Sequence, residues 1–436
     1  MAARYGLQMD MRTAVALVRF GLGRRASEPL PADPDAWLAG QLDGPDAALS
    51  RLATGSAGGL AALRADRREK RADGQPQRVR ELFRTEAAAA GAWLIETPAP
   101  FRERLVWFWA NHFTISLRRT PLHALAFAYV NEAIRPHVTG RFADMLLAVA
   151  RHPAMLLYLD NAVSIGPHSP AGRLTGRGLN ENFARECLEL HTIGRDAGYS
   201  QADVTEFAAL LTGWSIDRAE GRFAFFPRRH EPGTRVILGR RYAAGEDGGI
   251  AALRWLGTHP ATYRRIAAQL ARHFIADSPP PDAVARIAAV LHDTGGDLGA
   301  ASRALLRLPA AWQTMRKLRT PFDYAVAALR ALDLPAETRP FLPGVTRRLG
   351  QPWLTAPLPD GWVDTAAAWG DGELLLRRAD WSIAVAARAG TRDPIATAEA
   401  ALGPLLGAGT AQALRRAASR REALALLLAS PEFFGR

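Results

Sequence analysis

"FRERLVWFWANHFTIS", residues 101–116, decides how this chain packs. At 100° per residue, Leu105, Trp109 and His112 share one face of a helix, and further large apolar side chains cover much of the remaining surface. A helix that is apolar nearly all round is buried inside a large protein. The stretch therefore predicts a buried helix over 99–113.

Helical periodicity recurs along the whole chain, whereas strand-like alternation is confined to residues 222–242. There, residues 222–227 and 234–238 flank an "RRHEPG" turn and predict one small β-hairpin near 222–238. The predicted fold class is therefore mainly α, a large multi-helix unit with a minor β element.

The composition is that of a globular protein, with 436 residues, 48% hydrophobic and 22% charged. Three irregular zones interrupt the helices: a polar gap near 72–77, a Gly/Ser/Pro-rich loop at 164–178 and a Pro/Gly-rich zone near 335–371. None has the length or monotony of a flexible linker. We therefore expect a single predominantly helical domain over 1–436, with soft boundaries near 72–77 and 335–371.

The net charge of +12 raises the question of nucleic-acid binding. Lysine occurs only at Lys70 and Lys317, so arginine supplies 55 − 2 = 53 of the cationic residues. These arginines are scattered along helices and form no basic block with interleaved aromatics. An arginine-rich solvated surface explains the charge better than a nucleic-acid partner.

The sequence also indicates where in the cell the protein is located and which cysteine-based sites it can form. A single cysteine excludes an internal disulfide and a thiolate zinc site. No stretch approaches the roughly 18 apolar residues of a transmembrane segment. The first residues lack the order of a signal peptide, so the sequence as given predicts a cytoplasmic protein.

Helix starts are marked by recognisable capping residues. Ser200 is followed three residues later by Asp203, the spacing of a capping box, which explains this aspartate without a catalytic role. His152 and His259 each precede a proline at a predicted helix start. These two histidines are therefore interpreted as helix-entry residues instead of ligands.

"GLNENFARECLELHTIG", residues 178–194, is the densest polar stretch and predicts a helix over 180–192. One face carries apolar residues together with Cys187 and His191. The opposite face carries the candidate catalytic set, which comprises Asn182, Arg185, Glu186 and Glu189. Three interpretations of this face stay open: solvated surface, a structural network tying helices together, or a catalytic or ligand-binding site.

Two histidines are candidate metal ligands or proton carriers. Burial keeps an imidazole neutral, and a neutral imidazole is what a metal ligand or a general base requires. His112, His191 and Glu181 form the candidate metal set, and such ligands suit Zn, Mn or Fe better than Mg. The alternative is that both histidines are core residues, and that Glu181 only pairs with Arg185 four residues later.

The segment 164–178 offers two arginines, Arg173 and Arg177, immediately before a helix N-terminus. Together with His230 in the "RRHEPG" turn, they are candidates for binding an anionic substrate. The spacing is not that of a P-loop. The sequence contains no HExxH, GxSxG, CxxC or CxxCH, and no GxGxxG before a strand, so it has no nucleotide or c-type haem motif and leaves the cofactor open to a divalent metal.

Several stretches together resemble a large bacterial family catalogued as domain of unknown function 1800. They are "RERLVWFWANHFTIS" (102–116), "LYLDNAVSIG" (157–166), "LNENFARECLELHTIG" (179–194), "GYSQADVTEFAALLTGWSI" (198–216), "RRHEPGTRVILGRRY" (228–242), "THPATYRRIAAQLARHFIADSPP" (258–280), "KLRTPFDYAVAALRAL" (317–332), "LGQPWLTAPLPDGW" (349–362) and "LLLASPEFF" (426–434). The resemblance covers nearly the whole chain. It implies one helical unit, an extracytoplasmic location for many members and a phosphatase- or sulfatase-like companion protein.

Two functions are consistent with these features. The first is an enzyme with a polar Asn/Arg/Glu site on helix 180–192 and a buried histidine in 101–116, which could depend on a metal. The second is a non-catalytic helical scaffold or assembly partner of the companion protein. The polar cluster would then only join helices, and breaking a buried pair would cost about 3–5 kcal/mol.

Overall fold

The computed structural model describes residues 9–51, 55–71, 77–313 and 317–436. These residues form 23 α-helices and two separate two-stranded antiparallel sheets. The mainly helical fold class is thereby confirmed. Of the two predicted soft boundaries, the one near 72–77 falls almost entirely on residues 72–76, which lie outside the described residues.

The α-helices follow one another with short connections. The first eight are α1 (Met11–Val15), α2 (Pro34–Gly40), α3 (Ser56–Arg71), α4 (Arg78–Glu96), α5 (Pro100–His112), α6 (Ala126–Tyr129), α7 (Phe142–Arg151) and α8 (Pro153–Tyr158). The next eight are α9 (Pro170–Thr175), α10 (Asn182–Glu186), α11 (Gln201–Leu210), α12 (Glu246–Gly257), α13 (Pro260–Phe274), α14 (Pro281–Asp293), α15 (Leu298–Leu306) and α16 (Pro321–Leu332). The last seven are α17 (Leu342–Arg348), α18 (Ala366–Trp369), α19 (Gly372–Ala386), α20 (Pro394–Leu402), α21 (Ala408–Arg416), α22 (Arg420–Leu428) and α23 (Pro431–Phe434).

Shorter helical turns continue or connect these helices. Three π-helices occupy Ala16–Phe20, Val130–Ile134 and Cys187–His191. The 3₁₀ turns are Ala47–Ser50, Thr120–Ala124, Arg135–His137, Asn161–Val163, Arg195–Ala197, Pro227–Arg229, Pro309–Trp312, Ala336–Thr338, Ala387–Ala389 and Gly403–Leu405. The predicted helix over 180–192 is therefore α10 followed by a π-turn. Such i→i+5 turns are rare and occur frequently at functional sites.

Helix α5 is buried, as its sequence predicts. Trp109 and Phe113 are at most 1% exposed, and the Phe113 ring stacks on Phe142 at a centroid distance of 5.7 Å. Buried hydrophobic residues from Val15 to Phe433 form one contiguous core around it. None of the helices in the described ranges is both long and apolar enough to span a bilayer.

The charged residues at the start of α5 are buried as well, and each has a partner. Glu103 binds the guanidinium of Arg135 and accepts a hydrogen bond from the Trp93 indole at 2.6 Å. Arg104 donates to the Gly21 carbonyl at 2.8 Å. Because buried charges are costly unless paired, these contacts explain how an Arg-Glu-Arg run can enter the core.

The predicted helix entries are confirmed. Ser200 and Asp203 form a reciprocal capping box at the start of α11. The His152 side chain accepts a hydrogen bond from Ala154 N–H at 3.1 Å, and His259 caps α13 in the same way. An imidazole that accepts from a backbone N–H at a helix start satisfies a donor that has no partner within the helix.

The β region contains a strand at each of the two predicted positions and two further strands that were not predicted, and the pairing differs from the prediction. Strand β1 (Trp214–Asp217) pairs with β2 (Arg222–Phe225), and β3 (Arg235–Ile237) pairs with β4 (Arg240–Tyr242). The predicted hairpin between 222–227 and 234–238 is therefore wrong in its pairing. Two nearer turns form instead. One is the two-residue turn after β3, whose residues both have positive φ, a geometry that matches the strand twist.

Candidate functional site

A cavity of about 300 Å³ lies beside α5. Its other walls are α13, Leu190 of the π-helix, the start of α16 and the segment 351–365. A pocket of this size is at the lower end of the range for small-molecule sites. The Pro/Gly-rich zone near 335–371, expected as a soft boundary, thus contributes directly to this cavity.

Asn111 at the end of α5 fastens the segment that covers the cavity. Its side-chain amide donates to the Trp362 carbonyl at 2.9 Å, and its amide oxygen accepts from Trp362 N–H at 2.8 Å. Gly361, which precedes Trp362, has φ 79°, and a Cβ at this position would lie 2.4 Å from the main-chain carbonyl oxygen of Asn111. The close approach of the two backbones therefore requires glycine.

Gly361→Ala should lower the free energy of unfolding by about 1–3 kcal/mol, because it combines a left-handed backbone with a steric clash. Gly344→Ala is the matched control, since a Cβ at Gly344 meets nothing within 4 Å and its φ is ordinary. It lies within α17 and should be neutral or stabilising by up to about 1 kcal/mol. Urea denaturation of both variants tests this, and equal effects would contradict the assigned role of Gly361.

One end of the cavity is a network of fully paired charges. Asp364 contacts His273 Nδ1 at 2.5 Å, Lys317 Nζ at 3.1 Å and Arg436 at 2.9 Å. Burial alone would raise the pKa of Asp364, but His273 and the two cations outweigh it and hold that pKa far below its usual value. Asp364 is therefore ionised and already satisfied by protein groups.

The face of α13 towards the cavity is different, because its cations are not neutralised. Arg265, Gln269 and Arg272 line the cavity at spacings of four and three residues, which place them on one side of the helix. Neither arginine has a carboxylate within ion-pair distance in the described part of the chain. Arg265 is only partly exposed, and its Nε has no hydrogen-bond partner among the described residues.

Aromatic side chains form a further wall of the cavity. The rings of Trp107 and Trp353 lie 4.9 Å apart, and Phe322 lies 5.7 Å and 5.6 Å from these two. Phe108 and Trp362 complete the apolar lining. The cavity thus combines an aromatic wall, whose rings are tilted against one another, with a cationic helix face.

His112 lines this cavity, and His191 lies behind it. The two ring centroids are 6.5 Å apart, and His112 Nε2 lies 3.2 Å from the main-chain oxygen of His191. Burial, reinforced by Arg265, lowers the pKa of His112 to about 3, and burial also lowers the pKa of His191 to about 3. Both imidazoles are therefore neutral at physiological pH.

Most of the polar face of the predicted helix 180–192 is a network with α11. Arg185 donates to Glu181 at 3.0 Å and to Gln201 at 2.9 Å. Glu181 also accepts from Thr205 at 2.6 Å, and this hydrogen bond is the main reason why its pKa is lowered. The Glu181 carboxylate is therefore engaged on the side of the helix that faces α11.

Glu189 and Asn182 extend the same face. Glu189 contacts Arg195 Nε at 3.1 Å and lies 3.7 Å from Arg185. Asn182 begins α10, and its N–H donates to the Asn180 side chain at 2.9 Å. Glu189 and Asn182 therefore make contacts that hold neighbouring groups in position.

Glu186 is different from its neighbours on this face. It is partly buried, and in the described part of the chain its carboxylate makes neither a hydrogen bond nor an ion pair. Desolvation raises its pKa, with a further contribution from the charge of Glu189. The charge of Asp360, which lines the cavity, acts in the same direction. Glu186 does not line the cavity itself, but its charge interacts with that of Asp360, which does.

The chain matches the family described as "Protein of unknown function (DUF1800)" over residues 15–435. It belongs to this family. No curated protein and no solved structure matches the chain. Five of the nine stretches by which this DUF1800 protein resembles its family contribute residues to the cavity wall, namely 102–116, 179–194, 258–280, 317–332 and 349–362. The other four, 157–166, 198–216, 228–242 and 426–434, do not line the cavity.

The candidate anion-binding residues of the sequence analysis lie elsewhere in this DUF1800 protein. Arg173 and Arg177 are exposed and do not line the cavity. His230 is buried, with Nδ1 2.9 Å from the Thr212 carbonyl and Nε2 accepting from Gly245 N–H at 2.7 Å. Both of its ring nitrogens are thus used to join β-region segments.

The candidate metal set is also dispersed. His112 and His191 approach each other, whereas Glu181 is bound to α11. Within the described ranges, no three His, Cys, Asp or Glu side chains are grouped so that they could hold a metal ion. The single cysteine, Cys187, is buried, and burial raises its pKa well above the usual value.

The cavity residues Arg265, Arg272 and Asp360 were missed by the sequence analysis. The signal that could have found the first two is the spacing in "RRIAAQLARH", which places cations on the same helix face as Gln269. Asp360 stands in a loop, where no periodicity indicates what it faces.

Proposed function

We propose that this DUF1800 protein is an enzyme that transfers protons to and from a substrate held at the mouth of the cavity. Glu186 is the general acid and Asp360 the general base. The observation that carries the proposal is the Glu186 carboxylate, which is partly buried but has no protein partner in the described part of the chain. Such a group is costly to keep and is a candidate for function.

The protonation of Glu186 suits the role of an acid. Removal of water from around the carboxylate and the nearby charge of Glu189 both disfavour ionisation, so its pKa is raised. A carboxyl group with a raised pKa stays protonated over a wider pH range and can deliver its proton to a leaving group. Rates should therefore fall as the pH rises through the pKa of Glu186.

Asp360 provides the complementary group. It is exposed, lines the cavity and makes no ion pair with any described residue, so its carboxylate is free to accept a proton from water or substrate. The charges of Glu186 and Asp360 also act on Tyr158, and burial together with the Glu186 charge raises the pKa of Tyr158 to about 12. Tyr158 is thus protonated at physiological pH. Two carboxyl groups in different environments can divide the acid and base roles.

The remaining candidates on the helix act by position. Arg185 joins Glu181 and Glu189, which fixes the helix turn from which Glu186 projects. The π-turn that begins at Cys187 sets the direction of the following residues, including the cavity residue Leu190. In this proposal Asn182, Arg185 and Glu189 are positioning residues and do not contact the reacting atoms.

Glu186→Gln should reduce kcat by about 10²–10⁴-fold, because the amide cannot donate the proton of a carboxyl group. The assay is hydrolysis of chromogenic carboxylic, phosphate and sulfate esters and glycosides between pH 4 and 9. Glu206→Gln is the matched control, since Glu206 is a partly exposed glutamate on α11 that lies 3.6 Å from Arg235.

Stability provides a second readout of Glu186→Gln. A raised pKa in the folded state destabilises the protein as pH rises through it, so the glutamine variant should be at least as stable as the parent at pH 7. Wild-type protein that turns over none of these substrate classes would oppose the proposal. Full activity of Glu186→Gln on a substrate that the parent hydrolyses would exclude it.

A further inference from the structure

We infer that the cavity binds a small oxyanion with an aromatic body, whose carboxylate, phosphate or sulfate group is held by Arg265 and Arg272. The inference rests on the proposed function, since it names the class of substrate that reaches the carboxylates at the mouth. It follows from the hydrogen-bonding groups, the charges and the shape of the cavity wall.

Most of the buried polar atoms in the cavity wall that lack a hydrogen-bond partner among the described residues are donors, and the acceptor nearest the arginines in sequence is Gln269 Oε1. The indole Nε1 atoms of Trp107 and Trp353 and the Nε atom of Arg265 are buried and have no acceptor among the described residues. Trp353 as a whole is only 7% exposed. Indole and guanidinium groups donate hydrogen bonds and cannot accept them. A ligand that satisfies them must therefore present acceptor atoms.

The charges of the cavity favour an anion at the α13 side. The carboxylates at the opposite end are already occupied, because Asp364 and Asp323 each contact cations of the protein. Arg265 and Arg272 have no such carboxylate within the described ranges. Guanidinium groups bind carboxylate and phosphate oxygens through paired N–H donors, so two of them beside Gln269 suit an oxyanion.

The shape and apolar surface of the cavity define the body of the ligand. About 300 Å³ admits a single small ring system and excludes a polymer. The rings of Trp107, Trp353 and Phe322, with centroids 4.9–5.7 Å apart, offer flat faces against which an aromatic ring can pack. Val363, which is exposed by 55%, adds an apolar side chain to the lining next to the Asp360 loop.

Binding is tested with the full chain carrying Glu186→Gln, which keeps the cavity but cannot turn over substrate. The probes are 3-phenylpropionate, phenyl phosphate and phenyl sulfate, with neutral 3-phenylpropionamide as the isostere. Quenching of tryptophan fluorescence reports occupancy, because three tryptophans line the cavity, and calorimetry gives the stoichiometry. We expect one anion per chain and at least ~10-fold weaker binding of the neutral amide.

The variants Arg265→Gln and Arg272→Gln should each weaken anion binding at least ~5-fold, and together at least ~30-fold. Arg264→Gln is the matched control, because Arg264 is exposed on α13 and does not line the cavity. It should leave the affinity unchanged. Comparison of the three anions distinguishes carboxylate, phosphate and sulfate as the bound group, without requiring any variant.

Equal binding of the amide and the anion would overturn the inference, as would equal effects of Arg264→Gln and Arg265→Gln. These outcomes differ from failure of the proposed function. If Glu186→Gln abolishes turnover of a neutral substrate and Arg265→Gln does not, the inference fails and the proposed function stands. If anions bind through Arg265 but Glu186→Gln keeps full activity, the assigned acid is wrong and the anion site stands.

Discussion

Replacing Asp323 with alanine should lower the free energy of unfolding by about 3–5 kcal/mol, because it leaves buried guanidinium groups without their counter-ion. Asp323 Oδ2 lies 2.8 Å from Arg436 Nη1, and Oδ1 lies 3.2 Å from Arg104 Nη1. Both arginines are at most 3% exposed. Chemical denaturation at pH 7 measures the loss, and Asp323→Asn separates the loss of charge from the loss of volume.

Asp144→Ala is the matched control for Asp323→Ala. Asp144 occupies the same third position of its helix, α7, as Asp323 does in α16, but it is exposed. Its replacement removes only a favourable interaction with the helix dipole, worth about 0.3–1 kcal/mol. Similar losses for the two variants would mean that helix position, and not the buried charge network, determines the contribution of Asp323.

The Asp323 contribution should also depend on pH. Burial alone would raise the pKa of this carboxyl, but Arg104 and Arg436 outweigh it and hold the pKa at about 2. Since this value is below that of an unfolded aspartate, the stabilisation is present above about pH 4 and is lost as pH falls towards 2. The parent and Asp323→Ala should therefore converge in stability at acidic pH.

The sequence was a good guide wherever local rules determine the structure. The burial of α5 follows from an apolar surface on nearly all sides, and the capping box at Ser200 follows from residue spacing alone. His152 and His259 were recognised as helix entries for the same reason. These features depend on neighbours in the chain, and neighbours are what periodicity and capping rules describe.

The candidate site could be predicted only in part, because it depends on contacts between distant segments. The sequence does not show which carboxylate of 180–192 lacks a partner. Glu181 pairs with Arg185 and accepts hydrogen bonds from α11, whereas Glu186 has no partner among the described residues. The π-turn over Cys187–His191 adds a residue to the helical turn, so a wheel drawn at 100° per residue fails there. Asp360 was missed because it stands in a loop.

The predicted companion protein and the predicted scaffold role concern surfaces, and they remain predictions. The metal set of His112, His191 and Glu181 and anion binding by Arg173, Arg177 and His230 also remain predictions. So does the expectation that the chain forms a single domain. What the fold adds is a ranking within the catalytic set, because Arg185 and Glu189 have partners whereas Glu186 has none among the described residues.

His191→Leu should remove a large part of the acid sensitivity of this protein. Both His191 and His112 have a pKa of about 3 in the folded chain, against about 6.5 when exposed. Below pH 6.5 the unfolded chain therefore binds protons that the folded chain cannot. The contribution of each histidine to the free energy of unfolding is complete above about pH 6.5. Below that pH it falls by about 1.4 kcal/mol per pH unit, which is about 2 kcal/mol per histidine between pH 6.5 and 5.

The leucine variant isolates this effect because no side-chain hydrogen bond of His191 is lost in the described part of the chain, and leucine keeps an apolar side chain against Phe113. The ring Nδ1 has no hydrogen-bond partner among the described residues, and His112 contacts the main-chain oxygen of residue 191, which leucine retains. Between pH 6.5 and 5, the free energy of unfolding of His191→Leu should thus fall by about 2 kcal/mol less than that of the parent. The exposed position His292 provides the control, and His292→Leu should lose as much stability as the parent. Urea denaturation across this pH range tests the prediction. If the stability of His191→Leu and of the parent fell equally with pH, the prediction would be wrong, because protonation of the buried imidazole would then cost no stability.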